Sequence, residues 1–113
     1  MIPGTIKIDE VEYVRKGTSP SGTLAACNGI EELVGRSFFF RTVTHHLTGR
    51  ITKVWDNFLV LENAAWIADS GRFTQAIRDG VLSEVEPAGE AIINLSTVTD
   101  MFPWIHPLPT VQK

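Results

Sequence analysis

Apolar and polar positions change their period several times along the chain, and each change marks a short element. Ile6, Ile8, Val11 and Tyr13 alternate around Asp9-Glu10 as two brief strand-like runs, predicting a small hairpin or an extended arm. Residues 17–22, Gly-Thr-Ser-Pro-Ser-Gly, are turn formers and read as a linker. Residues 23–34 are helix-compatible but broken at Asn28-Gly29. Ile30 to Val34 then makes a helix of one or two turns closed by Gly35.

From Ser37 the pattern is β. Phe38-Phe39-Phe40-Arg41-Thr42-Val43-Thr44 is aromatic and β-branched. Leu47, Gly49, Ile51 and Lys53 share one face of a second strand by their period of two, and Phe58 to Glu62 forms a third. Turns at His45-His46 and Asp56-Asn57 join the three into a meander. The stretch from Asn63 to Gly80 then breaks the sheet with an aromatic, a polar turn and a helix over 70–80. Asp69 or Ser70 is the expected N-cap, Phe73, Ala76 and Ile77 form the apolar face, and Gly80 is the C-terminal stop. Residues 84–90 read as a polar excursion and Ala91 to Val98 as a fourth strand. Residues 101–109 carry too many prolines for a helix or central strand and should lie extended on a surface. The expectation is one mainly β (α+β) domain: an arm and linker over 1–22, a small antiparallel barrel or meander over 23–100, and a tail over 101–113.

Composition narrows the function classes. A chain of 113 residues suits a single domain. Its net charge of −3 disfavours long nucleic acid as a non-specific partner, because such binding needs a basic surface to displace counterions. The single cysteine, Cys27, cannot form an internal disulfide, and no Cys/His zinc spacing occurs. No leader pattern and no span-length apolar segment stands out, so a cytoplasmic protein without membrane contact is expected.

Candidate chemistry gathers around Asn63 to Gly80. Trp66 and Phe73 offer faces on which a base stacks, against the alternative that both are core. Ser70-Gly71-Arg72 at a helix start suits a phosphate, or is an ordinary capped turn. Arg41 follows three Phe residues and must be paired, snorkel or face a pocket. Arg78 supplies a further charge or a solvated one. His45 and His46 point to opposite faces of a strand, which suits a ligand hydrogen bond from His45 better than a shared metal. No nucleophile–base set or carboxylate pair is spaced suggestively, so the expectation is a protein that is not an enzyme and uses no cofactor and no metal. The apolar tail (Phe102, Trp104, Ile105, Leu108) and the edges of a small sheet favour a homo-oligomer.

Two family resemblances rest on these residues. Leu47-Thr-Gly49-Arg-Ile51 followed by a turn and Phe58-Leu-Val-Leu61 is similar to the first Sm motif, with the turn acid Asp56 one place late. Ile93-Asn-Leu-Ser-Thr-Val98 lacks the basic residue of the second. This implies a small Sm-like or SH3-like antiparallel β-barrel more than RNA binding. Arg41-Thr42, Gly49, the strand to Leu61, Asn63-Ala64, Trp66, the Gly-containing turn, the short helix and Gly80-Val81 resemble small phage proteins of the anti-Thoeris sponge type. The aromatic run after Asn-Ala is thinner here than in that pattern. That resemblance implies a non-enzymatic, oligomeric anti-defence protein that sequesters a cyclic nucleotide or cyclic ADP-ribose-like signal. Trp66 and Phe73 would take the base; Arg41, Ser70, Gly71 and Arg72 would take the phosphates, with His45 and Arg78 assisting. The alternatives are an Sm-like ring on single-stranded RNA and a purely structural assembly module.

Overall fold

The computed structural model describes residues 23–113, so the arm and linker expected over 1–22 lie outside the described residues. Two 3₁₀ turns, Leu24–Ala26 and Ile30–Leu33, precede strands β1 (Ser37–Thr42), β2 (His46–Trp55) and β3 (Phe58–Asp69). A short helix α1 (Phe73–Asp79) leads to β4 (Glu84–Asn94), a 3₁₀ turn Leu95–Thr97 and β5 (Val98–Pro103). All pairings are antiparallel, in the order β4-β3-β2-β1-β5. The architecture is the expected one: a small, mainly β, antiparallel sheet, with a helix inserted before β4 and a helical turn ahead of β1.

Bulges bend the sheet. Asn63 adopts a positive φ of 49° while the β3–β4 register shifts between Leu61 and Ala64. One extra residue flips side-chain parity and tightens the local twist. Leu59, Leu61 and Ala64 consequently face a first core with Phe38, Phe40, Leu47, Ile51 and Ile93, which Ile30 and Leu33 help to cover. Past the bulge, Ala65 and Ile67 face a second core on the other side, with Phe39, Ala76, Leu82, Val85 and Trp104. Three consecutive Phe residues are therefore all buried, because β1 is covered on both faces.

Four sequence expectations are corrected. Asn63 to Trp66 does not interrupt the sheet; β3 runs on to Asp69 through the bulge. The polar stretch 84–90 is the first half of β4, where an edge position tolerates Glu and Pro87. The strand expected over Ala91 to Val98 splits, because Asn94 accepts the Ser96 N–H (2.9 Å) and turns the chain into 3₁₀. Part of the supposed surface tail becomes β5, with Phe102 opposite Phe39. Beyond β5, Trp104 stacks on Phe39 at 6.1 Å, His106 reaches the Ile77 carbonyl of α1, and Lys113 pairs with Val85 of β4.

Candidate functional site

The structure distributes the expected ligand residues over separate places. α1 begins at Phe73, not Ser70. Its N-cap is Arg72, whose side chain carries only donors and so makes no capping bond, while Asp69 Oδ1 accepts the Gly71 N–H (2.8 Å) within the preceding turn. Ser70 and Gly71 thus belong to the β3–α1 connection, and the helix start expected at Ser70 lies instead at Arg72-Phe73. Gly80 does close the helix, at φ 74°.

Phe73 sits against the second core, edge-on to Phe39 (6.0 Å) and Phe102 (5.0 Å), which makes it a packing residue. Arg41 lies on the same side. Its guanidinium stands 4.8 Å from the Phe73 ring and 5.2 Å from that of Phe102, and it donates two hydrogen bonds to Asp100, Nε reaching Oδ1 at 2.7 Å. The fork is geometrically satisfied and stacked, the arrangement in which arginine gains most from a carboxylate. Arg78 donates to its neighbour Asp79 (3.0 Å) and is otherwise solvated. Its hydrogen bonds hold the Asp79 carboxyl below the ordinary value. Two of the three expected arginines are therefore engaged with carboxylates, while Arg72 is exposed at the start of α1.

The Arg41 hydrogen bonds likewise depress Asp100, against some opposition from desolvation and with help from the charges of Arg41 and His46. The native state then releases this proton at lower pH than the unfolded chain. The stability is present above the ordinary carboxylate range and is lost as pH falls through the depressed value. Asp100→Asn is expected to flatten that acidic limb of a melting-temperature profile recorded between neutral pH and pH 2.

Trp66 and His45 do come together. Trp66 is 44% exposed on β3, opposite Leu47, and it lines an open depression of 360 Å³ with Thr44, His45 and Leu47. The His45 ring engages the Thr44 hydroxyl (2.8 Å), while His46 turns to the opposite side and packs on Phe39 at 5.4 Å. A neighbouring slot of 260 Å³ continues past His45 to Ile92, Ile93, Asn94 and Thr97. No set of three or more His, Cys, Asp or Glu placed to hold a metal occurs among the described residues.

A second cluster lies at the β2–β3 tip, outside the residues singled out from the sequence. Trp55 and Phe58 face each other across the Asp56-Asn57 turn, both nearly half exposed, and the Lys53 ammonium is 5.1 Å from the Trp55 ring. Asn57 donates to Asn94 Oδ1 (3.0 Å) and to the Ser96 hydroxyl, and its carbonyl accepts the Leu95 N–H (2.8 Å). These bonds fasten the tip to the β4–β5 connection. The visible signal was the aromatic residue on each side of a two-residue turn; the partnership of Asn57 with Asn94 spans 37 positions and left none.

No family model matches the chain, and the curated proteins give no match. Among solved structures it is similar to the SmAP1 heptamer of P. aerophilum, at 18% identity and a TM-score of 0.48 over 64% of this chain and 82% of that one. It is also similar to a heptameric archaeal Sm protein, at 18% identity and a TM-score of 0.47 over 64% of this chain and 90% of that one. The fold itself stands on the strand order and register given above.

Proposed function

We propose that this chain is a self-associating, non-enzymatic binding module that joins copy to copy through the outer edges of β4 and β5. The observation that carries this reading is the sheet order: it begins at β4, ends at β5, and no pairing joins the two among the described residues. Open edges present unpaired N–H and C=O groups to another strand. One edge belongs to each of two different strands, so the contact is head-to-tail and closes into a ring when the rotation allows.

The tip supports single-stranded RNA as the ligand of such an assembly. Trp55 and Phe58 offer stacking faces, Lys53 offers charge, and the Asn57 network holds the turn still. The chain's net charge of −3 disfavours non-specific binding along a long strand, so the contact is a local one at the tip. Sequestration of a cyclic nucleotide has narrower support, from the Trp66–His45 depression, since Arg41 and Arg78 are engaged with Asp100 and Asp79.

Native mass spectrometry with a short oligoribonucleotide, and separately with a panel of cyclic nucleotides, tests both parts. One multiple of the 12.5 kDa chain mass is expected, shifting on RNA addition. A monomer at micromolar concentration would sink the assembly reading. Adducts with the cyclic nucleotides alone would move the ligand to the Trp66 depression.

A further inference from the structure

We infer that Lys113, Pro87 and Gly89 together mask the first half of the β4 outer edge and so fix the register in which a second copy of this chain pairs with it. The inference rests on the self-association proposed above. The Val85 N–H donates to the Lys113 carbonyl (3.0 Å), and the Lys113 N–H donates to the Val85 carbonyl (2.9 Å). That reciprocal exchange is the hydrogen-bonded pair of an antiparallel ladder. The outward backbone groups of Val85 are thus already satisfied from within the chain.

Two residues further on, Pro87 has no N–H to give. Gly89 then takes φ 84°, outside the strand region, and the β3–β4 register shifts on either side of it. Regular geometry returns only afterwards: Ala91, Ile92, Ile93 and Asn94 pair in unbroken succession with Leu61, Val60, Leu59 and Phe58. The regular length of β4 still open on its outer side is therefore Glu90 to Asn94, against the six residues of β5.

Charge falls the same way. Glu84 and Glu86 stand in the masked half, whereas the open half carries Glu90 alone and places Ile92, 56% exposed, beside the edge. Lateral slippage is the usual hazard of strand pairing. A shift of two residues keeps every side chain on its original face and so meets little resistance from packing. Such a slip toward Glu84 would bring the incoming strand against groups that Lys113 and Pro87 have removed. One register gives one closure angle, and hence one assembly size.

Removal of residues 110–113 is the test, with mass photometry and native mass spectrometry as readouts. The expected result is a mixture of assembly sizes in place of a single one, at an unchanged fold by circular dichroism. Lys113→Pro, which deletes the donor but keeps the chain length, should give the same spread and stands in if the shortened chain fails to fold. Ile92→Lys should yield monomers with the parent circular-dichroism spectrum, melting below the assembled parent because the linkage to assembly is lost. A monomeric parent protein overturns the self-association reading itself. An oligomeric parent whose two Lys113 variants keep one assembly size, or fall to monomers, overturns the register stop alone. An Ile92→Lys protein that stays assembled overturns the placement of the contact on Glu90 to Asn94.

Discussion

Phe39→Ala is expected to destabilise the protein by about 3–5 kcal/mol, enough to unfold a large fraction of a small domain. The ring is fully buried and touches three separate parts of the structure. It packs against His46 of β2 (5.4 Å), Phe73 of α1 (6.0 Å) and Trp104 after β5 (6.1 Å). Truncation leaves a cavity whose walls come from a strand, a helix and an irregular segment. These cannot all move inward without breaking the Trp104 N–H bond to the Ser37 carbonyl (2.9 Å) or the β1–β2 ladder. Urea denaturation reads the loss as a lower midpoint at nearly constant slope. Phe58→Ala is the control: its ring is partly exposed at the hairpin tip, and the change should stay within about 0.5–1 kcal/mol. Equal losses at the two positions would contradict the two-sided burial of β1.

Gly80→Ala should cost about 2–4 kcal/mol, from two causes that can be separated. The backbone there is left-handed, with φ 74° and ψ 20°, which disfavours any residue with a β-carbon by roughly 1–2 kcal/mol. An added β-carbon would also stand 2.6 Å from Cγ and 2.9 Å from Cβ of His106. His106 has little room to yield: its Nε2–H donates to the Ile77 carbonyl (2.8 Å), and its ring lies edge-on to Trp104 at 4.9 Å. In a His106→Gly background, which removes the Cβ as well as the ring, the steric part disappears, so Gly80→Ala should then cost only the backbone share. Thermal melts of the four proteins complete the cycle. Full additivity would mean that His106 does not press on the helix end.

Much of this fold was legible because it depends on local pattern. The three-strand meander, the helical turn at Ile30–Leu33 and the Gly80 stop follow from side-chain period and turn chemistry, although that first turn is capped by an extended Val34 rather than by Gly35. What failed depended on partners far along the chain. The strand character of Asn63 to Asp69 is set by a bulge whose parity change only the two cores reveal. Residues 84–90 look like a loop because an edge strand with one face toward water carries little hydrophobic signal. The candidate site suffered more. Arg41 was read as paired or pocket-facing; Asp100, 59 positions away, makes it paired. The Asp69 carboxylate, expected as an N-cap, accepts the Gly71 N–H within the turn instead. Trp66, weighed evenly between pocket and core, is exposed because the bulge carries it beyond the first core.

The coverage of β1 on both faces also bears on how such a protein can change. A sheet with one free face can acquire new contacts by substituting its outward positions without disturbing the core. Phe38, Phe39 and Phe40 leave no such position, since every second residue is as enclosed as its neighbours. Novelty is therefore channelled to the rims: the Trp55–Phe58 tip, the mouth beside Trp66, and the strand ends. Specificity could drift widely there while the middle of the sheet stays almost fixed in size and shape.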